Sequence, residues 1–173
     1  CGWFNCHLFL PFHTLKYINH TRTLELRLSA TQPLAILCYI DSAHAVHPNK
    51  KSQSGSCVGL GVGSVHWATS GIKMNTKSSA ESEFYGMGEH VTDAIFIRNY
   101  LLAQGYNFPP ATVYQDNQAA IRLSENGVAS SSRTRHIDTR RFFIQDRVEN
   151  GDVKVERLSA KSVVADYLTK PLV

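Results

Sequence analysis

Two aspartates each follow a β-prone run: Asp41 comes after LAILCYI (34–40), and Asp116 after ATVYQ (111–115). An unbroken apolar run like the first suits a strand buried on both faces. Acids at the carboxyl ends of neighbouring parallel strands line the crevice in which open α/β sheets bind ligands. Either aspartate alone serves a turn or a helix cap equally well, so the chemistry depends on further acids joining them. Two carboxylates about 4 Å apart repel by about 4 kcal/mol at an effective dielectric near 20, so a cluster of three or four is tenable only if cations neutralise it. A donor set of oxygen alone favours Mg²⁺ or Mn²⁺ over zinc.

The elements that must position such a cluster can be read from periodicity. Residues 56–69 (SCVGLGVGSVHWAT) suggest two short strands around a glycine-bearing turn, so a hairpin or meander follows the first strand and the sheet is mixed. From Ser78 to about Gln104 the period becomes helical, with Phe84, Met87 or Gly88, Val91, Ile95 and Leu102 on one stripe and Gly105 as the stop. Ser78 and Glu81 have the spacing of a capping box, which gives Glu81 a structural role. A short helix is expected from Asn117 to about Asn126-Gly127, a longer one over 134–149, a strand over 153–158 and a final short helix over about 162–169. The predicted order after residue 30 is β-β-β-α-β-α-α-β-α, a single α/β fold.

The 173 residues, 43% of them hydrophobic, suffice for one domain with a sizeable core. With 18 Lys plus Arg against 14 Asp plus Glu, the net charge of +4 permits a nucleic-acid partner without demanding one. Cys1, Cys6, Cys38 and Cys57 contain no C-x-x-C pair, which suggests a reducing, intracellular setting. No apolar stretch approaches the roughly 18 residues that span a bilayer, so no membrane partner is expected. A first residue that is Cys rather than Met points to a piece of something longer, and the apolar residues 1–13 suggest packing on a neighbour.

Five segments together carry a resemblance: YID (39–41), TKSSAESEF (76–84), YQDNQAAI (114–121), RTRHIDTRRFF (133–143) and ADYLTKPL (165–172). In this order and over roughly Tyr39 to Leu172, the chain closely resembles the ribonuclease H domain of copia-type retrotransposon Pol polyproteins. The resemblance implies a ribonuclease H-like α/β fold, a mixed five-stranded sheet flanked by helices, over residues 31–173. Residues 14–28 (TLKYINHTRTLELRL) resemble, more loosely, the end of the preceding reverse-transcriptase region, to which residues 1–30 are therefore assigned. No Tyr-x-Asp-Asp motif occurs, so no polymerase activity is expected.

The resemblance further implies a four-acid metal site that maps onto Asp41, Glu83, Asp116 and Asp166. Glu83 is preferred to Glu81 because it precedes the core aromatic Phe84 as the family's catalytic Glu precedes its apolar neighbour, while Glu81 caps. The implied activity is cleavage of the RNA strand of RNA–DNA hybrids during reverse transcription, with two Mg²⁺ or Mn²⁺ ions and products ending in 5′-phosphate and 3′-hydroxyl. Asp41 would serve both ions, Glu83 and Asp116 mainly one, and Asp166 the other. The implied partners are the hybrid and the reverse-transcriptase domain of the same polyprotein, in a cytoplasmic particle or the nucleus. Where the family usually reads Y-S-D-A-D-W-A-G, this chain has YIDSAHAV (39–46), losing the second Asp and the Trp.

Substrate contacts are expected from Ser78, Ser79, Asn117 and Gln118, whose side chains both donate and accept hydrogen bonds and so could read a 2′-hydroxyl. Asn117 serves equally as a helix cap. Arg133, Arg135, Arg140, Arg141 and Arg147 make one segment basic enough to follow a phosphate backbone, although a solvated helix face explains them too. His136 among them is a candidate proton shuttle or substrate contact, and Ile137, Phe142 and Phe143 are expected as core or shelf. His44, His47 and His66 invite a zinc reading that their spacing does not support. The rival to a hybrid nuclease is an inactive nucleic-acid-binding relic of the same polyprotein, or a related nuclease acting on DNA.

Overall fold

The computed structural model describes residues 3–125, 135–159 and 162–170. Its elements run α1 (Trp3–Thr21), β1 (Ser29–Ala30), β2 (Leu37–Ala43), β3 (Gln53–Gly59), β4 (Gly61–Val62), β5 (Ser64–Gly71), α2 (Ser79–Ala103), β6 (Ala111–Gln115), α3 (Gln118–Glu125), α4 (Arg135–Glu149) and β7 (Val153–Arg157). A 3₁₀ turn, Val164–Leu168, takes the place of the expected last helix.

The main sheet has five strands in the order β5-β3-β2-β6-β7. The meander β2-β3-β5 is antiparallel, whereas β2-β6 and β6-β7 are parallel, so the sheet is mixed as expected. β1 and β4 form a separate antiparallel ribbon, and α1 was not anticipated because its apolar residues keep no clean period. Phe12, Leu15, Tyr17 and Ile18 of that helix remain exposed. No helix among the described residues is long and apolar enough to cross a membrane.

The core lies between the sheet and α2. Ile36, Cys38, Ile40, Val58, Ala111 and Val113 meet Phe84, Met87, Val91 and Ala94, all essentially sealed from solvent. Alternate strand residues face opposite sides of a sheet, so these side chains and their neighbours separate cleanly into two faces. On the α2 side, Gly86 lets the helix ride close: a Cβ there would sit 2.2 Å from Ser42 Oγ and 3.2 Å from Ser54 Cβ. On the other side, a Cβ at Gly55 would lie 2.7 Å from Leu168 Cβ, so β3 accepts the 3₁₀ turn only because it has no side chain there.

Two expectations about boundaries change. β2 does not stop before Asp41 but runs on to Ala43, because its antiparallel pairing continues through Asp41↔Gly55, Ser42↔Ser54 and Ala43↔Gln53. The two short strands expected over 56–69 are each longer, with the β4 residues of their connection paired to β1. The capping of α2 holds: Glu81 N donates to Ser78 Oγ at 3.1 Å, while Glu81 Oε2 accepts from Lys77 N at 2.7 Å, one residue before the cap. Asn126-Gly127, the expected end of α3, lies outside the described residues.

Candidate active site

The parallel ladder between β2 and β6 reaches Tyr39↔Tyr114, where the two rings stack with centroids 5.1 Å apart. Beyond that pair β2 continues and β6 ends, opening a crevice at the carboxyl ends of both strands. Asp41 enters the crevice from β2, and Asp116 follows the last residue of β6. Glu83 is set down beside them by the second turn of α2, with Phe84 next to it anchoring the helix in the core. One carboxylate oxygen from each of Asp41, Glu83 and Asp116 lies within 4.8 Å of the others. Glu81, the rejected alternative, is occupied in the cap.

Asp41 and Glu83 are only 6% and 5% exposed, whereas Asp116 is half-buried. Asp116 also lines an open cleft of about 420 Å³ with Arg157, Leu158 and Ser159, so the cluster has a route to solvent. Burial, then the charges of Asp41 and Asp116, push the Glu83 carboxyl up to about 9, against the pull of its bonds to Gln115 and the Ser42 backbone. Burial likewise raises Asp41, partly offset by a hydrogen bond from Thr169. Three acids this close cannot all be ionised without a cation. The all-carboxylate donor set and the burial of Glu83, only partly offset by its hydrogen bonds, therefore fit Mg²⁺ or Mn²⁺.

Asp166 is not a member of the close trio. It sits on the 3₁₀ turn with its Oδ1 accepting from Lys170 Nζ, near enough for its charge to act on Asp41. Thr169, buried on the same turn, donates its hydroxyl to Asp41 Oδ2. Neither Thr169 nor Lys170 was singled out from sequence, although both fall inside the ADYLTKPL segment.

Gln115 was also missed. Its fully buried amide donates to Glu83 Oε2 at 3.3 Å and accepts from the backbone amides of Asp116 at 2.8 Å and Asn117 at 3.3 Å. One side chain thus holds the Glu83 carboxylate and the backbone that presents Asp116. Gln115→Leu should weaken Mn²⁺ affinity by about 10–100-fold, the usual cost of losing a partner that orients a ligand. The orphaned buried groups should lower stability by about 1–3 kcal/mol. Calorimetric titration and a thermal melt would measure both, and an undiminished Mn²⁺ affinity would contradict the positioning role.

The expected substrate residues lie on several elements. Ser78 caps α2 and Ser79 is exposed in its first turn. Asn117 Oδ1 accepts from the amides of Ala119 and Ala120, the capping alternative, and Gln118 is exposed beside it. Arg140 stacks 3.7 Å over the Tyr85 ring and reaches Glu89 at 3.5 Å, tying α4 to α2. Arg133 lies outside the described residues. Arg135 and His136 open α4, but their side chains, like those of Ile137 and Arg141, also lie outside them. Arg147 pairs with Asp146 and Asp152, Phe142 is 62% exposed, and Phe143 is on the margin of exposure.

The three histidines do not meet. His47 bonds Gln53, and His66 faces Asp93. His44 is half-buried among the hydroxyls of Thr76, Ser82 and Ser52. Cys38 is buried and Cys57 partly so; both are free thiols.

No model of a protein family matches the chain. Over 122 residues, 70% of its length, the chain is 32% identical to the Retrovirus-related Pol polyprotein from transposon TNT 1-94 of Nicotiana tabacum, of which it covers 9%. Over 168 residues, 96% of its length, it is 29% identical to the corresponding polyprotein from transposon RE1 of Arabidopsis thaliana, covering 11% of it. The chain thus spans about a tenth of the length of the curated relatives it matches. Among solved structures, it aligns with LC11-RNase H1, isolated from compost by a metagenomic approach, at a TM-score of 0.59 and 14% identity, covering 78% of this chain and 92% of that one. It aligns with the same enzyme in complex with an RNA/DNA hybrid at 0.54 and 14%, covering 78% and 93%. The N-terminal RNase H domain of a Mycobacterium tuberculosis protein gives 0.55 and 12%, covering 79% and 91%. At such identities the likeness shows the fold.

Proposed function

We infer that this chain, which has the ribonuclease H fold and is related to the Pol polyproteins of copia-type retrotransposons, is a metal-dependent endoribonuclease that cuts the RNA strand of RNA–DNA hybrids. The observation that carries this reading is the meeting of Asp41, Glu83 and Asp116 within 4.8 Å at the strand ends. Relatives that are Pol polyproteins support a hybrid as substrate, as does the solved hybrid complex of a protein with the same fold.

Two divalent ions held by such a site would supply activation of the attacking water and stabilisation of the leaving oxygen of a phosphodiester. Asp41, Glu83 and Asp116 are the residues to hold them, with Asp166 completing the set from the 3₁₀ turn. Gln115 keeps Glu83 and the Asp116 backbone in register, and Thr169 fixes the Asp41 carboxylate. Arg157, beside Asp116 in the open cleft, is placed to meet a backbone phosphate. Ser78, Ser79, Asn117 and Gln118 are the candidates for reading the 2′-hydroxyl, and Arg133, Arg135, His136 and Arg140 belong to the segment proposed to follow the phosphates. Residues 1–30 are assigned to the end of the reverse-transcriptase region and 31–173 to the nuclease domain. The reverse-transcriptase domain is the proposed partner, and the free thiols suit an intracellular particle.

The deciding experiment uses a hybrid with a labelled RNA strand, incubated with Mg²⁺ and separately with chelator. Cleavage to 5′-phosphate and 3′-hydroxyl ends in Mg²⁺ alone is the expected result. Tight hybrid binding without cutting would leave a relic that keeps the fold. Faster cutting of an all-DNA duplex would overturn the substrate.

A further inference from the structure

We propose that Lys170 is the resident counter-ion of the acid site: its ammonium holds Asp166 in reserve while the site is metal-free, and a divalent ion must displace it to recruit that carboxylate. The proposal rests on the metal-binding reading above and adds a regulation of the same site.

The 3₁₀ turn that carries Asp166 and leads directly into Lys170 is fixed to the sheet. Thr69 Oγ1 of β5 donates to Leu168 O at 2.8 Å, and Leu168 packs into the space left by Gly55. The amides of Thr169 and Lys170 both reach Asp166 O at 3.3 Å, which folds the chain back on itself. This geometry sends two consecutive residues to two different acids: Thr169 to Asp41, and Lys170 to Asp166 four positions earlier.

The two contacts differ in kind. Thr169 and Asp41 are buried, so their bond is a fixed support. The Lys170 and Asp166 side chains are 61% and 36% exposed, so their ion pair can open without disturbing the core. The ammonium also lies within the field of Asp41 and Asp116. The four acids therefore divide into a close trio and a fourth held by an exchangeable cation. An incoming metal competes with Lys170 for Asp166, which weakens occupancy of the position that Asp166 serves.

Mn²⁺ titration of the full metal-free chain, without nucleic acid, tests this by calorimetry. Lys170→Gln should tighten the weaker binding event by up to about fivefold, the ceiling for an exposed ion pair, and Lys170→Arg should behave like the parent. In an Asp166→Asn background, Lys170→Gln should produce no gain. A residue that merely docked the turn would give the opposite sign, because its loss would loosen Thr169 and weaken Mn²⁺ binding. Unchanged or weaker affinity in Lys170→Gln, or an equal gain without Asp166, overturns the proposal and leaves the metal reading standing. If no variant takes up Mn²⁺, both fall.

Discussion

Asp116→Asn should lower metal-dependent cutting of a hybrid by at least about a thousandfold, a loss of roughly 4 kcal/mol of transition-state stabilisation. The substitution preserves shape and removes only charge. The backbone contact from Asp116 N to Gln115 Oε1 is untouched, so the turn that presents the residue should survive. Removing the Asp116 charge also relieves one of the influences that keep Glu83 protonated, so the metal-free variant should melt no lower than the parent. Rate, hybrid affinity and thermal midpoint would be measured together. Glu81→Gln is the matched control: Gln keeps the reach of the capping box and loses only a charge near the helix N-terminus, so cutting should change by less than about twofold while the helix loses about 0.3–1 kcal/mol. An unchanged rate in Asp116→Asn, or a collapse in Glu81→Gln, would show that the wrong acids had been chosen.

The parts of this site that could be read in sequence are those carried by local pattern. Asp41 and Asp116 follow β-prone runs, and Ser78 with Glu81 has capping spacing, while Glu83 was assigned through the resemblance of TKSSAESEF to the family's motif. Each of these signals spans only a few residues. The partners that hold the acids are long-range: Gln115 and Glu83 are 32 residues apart, and Thr169 and Asp41 are 128 apart. No periodicity marks a glutamine at the end of a strand as the clamp of a carboxylate on a helix. The extent of β2 was misjudged for a related reason, since its last residues are held by pairing with β3 rather than by apolar character. Arginines at helical spacing show only that a segment is basic; that Arg140 stacks on Tyr85 depends on the packing of α4 against α2. The short helix expected over about 162–169 is instead a 3₁₀ turn, Val164–Leu168, whose Leu168 must fit against Gly55.

Glu83 makes stability depend on pH in a way that can be measured before any substrate is added. Its carboxyl titrates near 9 in the folded chain against 4.5 ordinarily, with burial the largest cause and Asp41 and Asp116 next. Across that window the folded state keeps a proton that the unfolded state releases. Its contribution is therefore complete below about 4.5 and is lost as pH rises toward 9. The metal-free protein should melt higher at pH 5.5 than at pH 8.5, and saturating Mg²⁺ should narrow the difference by replacing the proton with a cation. Glu83→Gln carries no titrating group there, so it should flatten this part of the profile. Each unit of displacement corresponds to about 1.4 kcal/mol, but protons are shared among coupled acids, so a gain of about 2 kcal/mol over the parent at pH 8.5 is expected. For a chain of this size that is a rise of about 4–8 °C in the melting midpoint. The variant should be stabler and inactive at once, the sign expected of a carboxylate placed for chemistry against the interest of the fold. A Glu83→Gln protein less stable than the parent at pH 8.5 would instead show that the ionised carboxylate is already well satisfied without metal, and the case for a cation in the crevice would lose its electrostatic ground.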